Sequence, residues 1–189
     1  MMTQREALEV LATVRVSQVV ITTMGSTGIW PVISDTGLDF NYIPSSMGQG
    51  IALGLGLALA HPHRGVIAVM GDGSLLMNLG SLVTVANHPA PLHVILLDNG
   101  LYEITGGQAV AGSGRTDFAG LARAAGIPSV FTFDAIESWK TCAADVLNQP
   151  GPTFTWLKVQ GLTGQKTPTA PRPMSAQITR LREALAVSV

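Results

Sequence analysis

A single cysteine, Cys142, is all the thiol chemistry that this 189-residue chain carries. That excludes an intrachain disulfide framework, a cysteine-rich zinc site and an iron–sulfur cluster held by this chain alone, and it fits a reducing cytoplasm. Charge is equally sparse: 12% of residues are charged and the net charge is -1. With no run of Lys and Arg, the chain has no electrostatic footprint for nucleic acid or for an anionic membrane surface. Long hydrophobic runs are missing too. The longest, residues 51–60, is about half of a membrane span and is interrupted by glycines. The N-terminus has Arg5 and Glu6 among helix formers, without the apolar stretch and small-residue cleavage site of an export signal. A Walker A sequence is absent, and neither Gly54-x-Gly56 nor Gly71-x-Gly73 completes a dinucleotide fingerprint, which disfavours ATP and NAD. What remains is apolar: a 47% hydrophobic fraction with 21 glycines points to extensive buried surface and to an oligomer.

The apolar residues are arranged periodically. Thr3 followed by Glu6 is a capping-box pattern, and Ala7, Leu8, Val10 and Leu11 then supply one apolar helical face. β-branched residues 19–22 read as a buried strand entering the glycine-bearing loop 24–28. Alternation follows: helix 50–60, strand 66–70, helix 74–86, strand 92–97, helix 117–125, strand 129–133, helix 135–147 and strand 153–159. Residues 161–173, rich in Gly, Thr and Pro, read as a loop before a last helix at 176–186. Short apolar strands separated by helices predict one α/β domain over residues 1–189, a doubly wound, mainly parallel sheet with helices on both faces.

In such a sheet ligands collect beyond the carboxyl ends of strands. After the strand ending at Met70 comes Gly71-Asp72-Gly73-Ser74, where two glycines admit a ligand to the backbone and the following helix offers free N–H groups to a phosphate. Asp72 beside phosphates implies a cation between them, and Mg²⁺ suits an oxygen-only site. Asn99, after the next strand, supplies a second oxygen; a backbone carbonyl, two phosphate oxygens and a water would complete an octahedron. Taken singly, Gly-Asp-Gly-Ser is as readily a turn and N-cap, Asn99-Gly100 a simple turn, and Met47 core packing. Their order and spacing make the stronger case.

Gly-Asp-Gly followed by Asn after 27 positions, Asp72 to Asn99, resembles the signature of the thiamine diphosphate enzymes. The segment Ser45-Ser46-Met47-Gly48-Gln49-Gly50, with Met47 lying 25 positions before Asp72, is similar to the family segment beneath the bent cofactor. The resemblance is greatest to sulfopyruvate decarboxylase β subunits and the C-terminal half of phosphonopyruvate decarboxylase. It implies that thiamine diphosphate binds through Mg²⁺ held by Asp72, Asn99 and the backbone oxygen of Leu101, and that Gly71, Gly73, Ser74 and Tyr102 complete the cofactor site. It also implies catalytic roles for Met47, as a wedge that bends the cofactor, and for the carbonyl of Ser45, as acceptor from its 4′-amino group.

The pyrimidine-binding domain that supplies an activating glutamate in this family has no counterpart here. The expectation is therefore a β-type subunit of a hetero-oligomeric decarboxylase acting on a small anionic 2-oxo acid, completed by an α-type, pyrimidine-domain subunit. Two alternatives stay open: the diphosphate-binding subunit of another enzyme of the family, such as an acetolactate-type carboligase, and a non-catalytic cofactor-binding subunit. Tyr102 and Glu103 depart from the phosphonopyruvate decarboxylase pattern. None of His61, His63, His88 and His93 is expected to be catalytic, and Lys166 and Arg172 read as exposed cations on the late loop.

Overall fold

A computed structural model describes residues 1–43, 47–164, 166 and 168–186. Helix α1 (Gln4–Val14) starts as the capping box requires: the Glu6 N–H donates to Thr3 Oγ1 at 3.1 Å and the Thr3 N–H to Glu6 Oε2 at 2.8 Å. There follow β1 (Val19–Thr23), α2 (Trp30–Ile33), β2 (Asp39–Tyr42), α3 (Gly50–Ala60), β3 (Val66–Gly71), α4 (Asp72–Met77), α5 (Ser81–Asn87) and β4 (Leu92–Asp98). A two-stranded antiparallel ribbon, β5 (Leu101–Tyr102) with β6 (Gln108–Ala109), precedes α6 (Phe118–Ala124), β7 (Ser129–Phe133), α7 (Ile136–Leu147), β8 (Thr153–Lys158) and α8 (Met174–Ala186).

Six strands form one parallel sheet in the order β2-β1-β3-β4-β8-β7. The near-continuous apolar runs are what a two-sided sheet demands, because successive side chains point to opposite faces. Ile21, Ala68, Val94 and Phe154 enter one core with α3, α5, α6 and α8. Val20, Ile67, Ile95 and Leu157 enter the other with α1, α2 and α7. The doubly wound expectation is met.

Two departures are instructive. β2 is not among the expected elements, and its four residues include the polar Asp39 and Asn41. Asp39 is buried, and its carboxylate accepts from Arg15 Nη1 at 2.7 Å, Trp30 Nε1 at 2.9 Å, Ser34 Oγ at 2.7 Å and the Thr36 N–H at 2.7 Å. Paired and fully hydrogen-bonded, a charged residue can occupy a buried position on the edge strand β2. The expected helix 74–86 is in fact two. Asn78 leaves helical geometry at φ −144° and donates from Nδ2 to the Gly48 carbonyl at 3.1 Å, and α5 begins after Gly80.

His93 in β4 belongs to the core and not to a site. It is 4% exposed, with Nδ1 3.0 Å from Thr153 Oγ1, and burial depresses its pKa to about 4. The unfolded chain, with His near 6.5, therefore binds a proton that the folded chain refuses between those two values. Stability from this group is complete above pH 6.5 and is lost as pH falls toward 4, by about 3 kcal/mol at most. In denaturant titrations the stability difference between wild type and His93→Asn should shrink on acidification from pH 7 to pH 4. A difference independent of pH would show that His93 is not held neutral.

Candidate functional site

The order of strands fixes where a crevice opens. From β1 the chain moves outward to β2, then returns across β1 to β3 and β4, so the connections leave the carboxyl ends of β1 and β3 in opposite directions. A cleft lies there, lined by Thr23 to Ser26 at the end of β1, Gly71 to Ser74 at the end of β3 and Leu97, Asn99 and Leu101 at and beyond the end of β4. Met47, Met77, Tyr102 and Glu103 add further wall. On the β1 side, Met24 holds φ 56°, a conformation seldom adopted by non-glycine residues. Hydrogen bonds from Ser26 Oγ to the Thr23 carbonyl at 2.7 Å and from Thr27 Oγ1 to the Met24 carbonyl at 2.6 Å brace the turn around it.

Asp72 is 2% exposed and accepts from the Gly100 N–H at 3.0 Å. Burial, followed by the neighbouring Asp98 carboxyl as hydrogen-bond partner and like charge, pushes its pKa up to about 7 against the opposing backbone N–H bonds of Gly73 and Gly100. Sequence reasoning passed over Asp98, whose Oδ2 accepts from Trp156 Nε1 at 2.9 Å. No Lys, Arg or His lines the cleft among the described residues. A buried carboxylate next to a second, half-buried one, with no cationic side chain in the cleft, is electrostatically incomplete, and a divalent cation would complete it. Asn99 offers the second oxygen: its Oδ1 accepts from the Leu101 N–H at 2.9 Å, fixing the side chain and leaving a lone pair. Among the described residues no group of three or more His, Cys, Asp and Glu side chains forms a metal cage. A cation here would draw on backbone and ligand oxygens, the usual condition of Mg²⁺ at phosphate sites.

The rest of the predicted site gathers around this pair. Ser74 Oγ accepts from the Gly48 N–H at 2.9 Å, which ties the segment after Met47 to the Gly-Asp-Gly-Ser turn and leaves the hydroxyl proton for a ligand. Met47 stands on the cleft wall, 47% exposed. Ser45 lies outside the described residues. Gly71 is open, with nothing closer to a notional Cβ than the Leu97 carbonyl at 3.9 Å. Gly73 is glycine for a reason that the sequence did not disclose: a Cβ there would sit 2.3 Å from Tyr102 Cε1. The Tyr102 ring therefore packs directly on the turn that carries Asp72. The short α4 begins at Asp72 itself, two residues before the expected start at Ser74, so its free N–H groups open that much earlier.

Other candidates fall away from the cleft. None of the four histidines lines it, and Arg172 is paired with Asp35, which also accepts from Arg180 at 2.9 Å. These two arginines hold the exposed Asp35 carboxyl down at about 2 and pin α8 to the α2–β2 connection. Lys166 lines a second cavity beside the cleft. Gly161 was missed as well: its notional Cβ would meet the Asn99 carbonyl at 2.7 Å, so the loop after β8 presses on the Asn99 segment. Among the described residues no helix is long and apolar enough to cross a membrane.

The chain is similar to known proteins along most of its length. It is 38% identical over 160 residues to the phosphonopyruvate decarboxylase of Streptomyces hygroscopicus, covering 84% of this chain and 39% of that protein. To the sulfopyruvate decarboxylase subunit beta of Methanothermobacter thermautotrophicus it is 38% identical over 120 residues, covering 63% and 61%. It thus spans less than two thirds of the length of either. The X-ray structure of a Mycobacterium smegmatis protein described as a thiamin diphosphate-dependent enzyme superimposes with a TM-score of 0.72 at 23% identity, over 85% of this chain and 32% of that one, which establishes the shared fold. A family model described as thiamine pyrophosphate enzyme, C-terminal TPP binding domain, matches residues 29–155, the stretch that contains Asp72 and Asn99. The chain belongs to the thiamine pyrophosphate enzyme family and carries its C-terminal TPP binding domain.

Proposed function

We propose that this chain is the β-type subunit of a thiamine diphosphate- and Mg²⁺-dependent decarboxylase of a small anionic 2-oxo acid, of the sulfopyruvate or phosphonopyruvate type. The observation that carries the reading is the buried Asp72 at the topological switch point, beside Asp98 and 27 positions before Asn99, in a cleft without a basic side chain. A diphosphate enters such a cleft only with a divalent cation. Asp72, Asn99 and the Leu101 carbonyl would hold that cation, and the Ser74 hydroxyl and the backbone at Gly71 and Gly73 would meet the diphosphate. Met47 would support the cofactor from the cleft wall, Tyr102 would border it, and the Ser45 carbonyl would accept from its amino group. When bound, the cofactor supplies the nucleophilic carbon and the electron sink that decarboxylation of a 2-oxo acid requires. The chain's own contribution is to fix the cofactor's position and to keep water from the reacting face with the apolar side chains of Met24, Met47, Met77 and Ile104.

Decarboxylation is favoured over carboligation because the relatives matched at 38% identity are named decarboxylases, whereas an acetolactate synthase large subunit of Porphyra purpurea is 27% identical. The name of the sulfopyruvate relative as a subunit beta supports a companion chain bearing the pyrimidine-binding domain.

The test is capture of the native assembly from its source, followed by assay of CO₂ release from sulfopyruvate, phosphonopyruvate and pyruvate with Mg²⁺ and thiamine diphosphate. A stoichiometric companion and preference for an anionic-tailed substrate are the expected results. Release of CO₂ with a carboligated product in place of the aldehyde would favour the carboligase, since acetolactate-type carboligation of pyruvate also releases CO₂, and CO₂ release from none of the three would leave the non-catalytic role.

A further inference from the structure

Glu103 is a buried carboxylate, 8% exposed, on the wall of the cleft, and the chemistry proposed above gives it no task. Its two oxygens face two different parts of the chain. Oε2 accepts from Gln4 Nε2 at 2.8 Å, in the first turn of α1; Oε1 accepts from the Leu162 N–H at 2.6 Å, in the loop after β8. Gln4 is itself 8% exposed, so this is an interior contact and not a surface pair. On the far side of the Gln4–Glu103 pair lies the second cavity, bordered by Arg5, Leu162 and Lys166.

The consequences run toward the cation ligands along two routes. Within its own segment, Glu103 follows Tyr102, whose ring packs on Gly73, and Leu101, in the ribbon that Gly107 closes with an N–H bond to the Tyr102 carbonyl at 2.9 Å. Across the gap, the residue before Leu162 is Gly161, whose notional Cβ would come within 2.7 Å of the Asn99 carbonyl and 2.8 Å of Leu101 Cδ1. Fixing Leu162 therefore also fixes the backbone that leans on Asn99 and Leu101.

We propose that Glu103 is a positioning residue, a clamp that holds the Asn99–Glu103 segment between α1 and the loop after β8 in the geometry that receives the cofactor and its cation. A carboxylate suits the task because it accepts at both ends and donates at neither, while both neighbours are N–H donors. Glutamine keeps the reach and one acceptor oxygen. It saves both bonds if the Gln4 amide turns to present its carbonyl, which a primary amide does at no covalent cost. Alanine loses both.

This inference rests on the reading of the cleft as a Mg²⁺–thiamine diphosphate site, and the experiment separates the two. Mg²⁺–thiamine diphosphate is titrated calorimetrically into the assembled protein carrying wild-type chain, Glu103→Ala or Glu103→Gln, and hydrogen exchange is followed on the same samples without cofactor. Glu103→Ala should bind the cofactor about tenfold more weakly. Its exchange should quicken in residues 99–105 and at the Leu162 amide, while β2 and β7 at the sheet edges stay unchanged. Glu103→Gln should stay within about twofold of wild type in affinity. Cofactor affinity unchanged in Glu103→Ala would overturn the clamp, as would equal losses in the two variants or faster exchange throughout the sheet. Should wild type itself bind no cofactor, the reading of the cleft fails, and the exchange comparison, which needs no cofactor, decides the clamp alone.

Discussion

Replacement of Asp72 by alanine is expected to leave the chain folded and to remove Mg²⁺-dependent binding of thiamine diphosphate. The carboxylate is buried beside Asp98, so the unliganded fold carries it at a cost, and that cost raises its pKa to about 7. Alanine removes the repulsion but strands the Gly100 N–H that Asp72 accepts at 3.0 Å. These two changes oppose one another, and the net effect on unliganded stability should stay within about 1 kcal/mol. Binding has no such compensation. Without the charge, nothing in the cleft draws a divalent cation between chain and diphosphate, and affinity should fall about 100-fold or more. Thermal denaturation of the assembled protein reads both quantities. At a cofactor concentration of about 100 times Kd, wild type gains about 2.7 kcal/mol, and the variant should gain almost none. A variant stabilised by cofactor as much as wild type would place the cation elsewhere.

Gly73→Ala should add a methyl group that the site cannot hold without moving Tyr102. The new Cβ would lie 2.3 Å from Tyr102 Cε1 and 2.8 Å from Cδ1, far inside contact distance. The ring must move away from the turn, and it carries with it the backbone between Leu101 and Glu103. Overpacking of this kind costs about 1–3 kcal/mol. Displacement of cation and diphosphate contacts by about 1 Å should lower turnover by about 100-fold. The mechanism has its own check. In a Tyr102→Ala background the clash is gone, so Gly73→Ala should add no further loss of stability there, a non-additivity visible in a double-mutant cycle. Additive losses would mean that Gly73 serves the ligand or the helix start and not the ring.

How far the sequence could be read follows from the range of each interaction. Asp72 and Asn99 were legible because each stands directly after an apolar strand, where period and punctuation are local signals. Helix α1 and its cap were legible for the same reason, the capping bonds between Thr3 and Glu6 lying within the first turn. β2 was not, since what allows Asp39 into a strand is Arg15, a charge 24 positions away that no window around residue 39 contains. The break between α4 and α5 depends on Asn78 reaching Gly48, and the identity of Gly73 on the ring of Tyr102. Glu103 reads in sequence as a polar loop residue. Only the approach of Gln4 and Leu162, 99 and 59 positions away, makes it an interior one. The residues proposed to touch the ligand stand beside local sequence signals, whereas those that hold them in place became visible only once the chain was folded.

The most direct test of the whole account is an anomalous difference map from crystals of the assembled protein grown with thiamine diphosphate and Mn²⁺ in place of Mg²⁺. The expected result is one strong peak within coordination distance of Asp72 Oδ, Asn99 Oδ1 and the Leu101 carbonyl, next to the diphosphate. A peak bound by other residues, or cofactor density outside the cleft between β1 and β3, would contradict it.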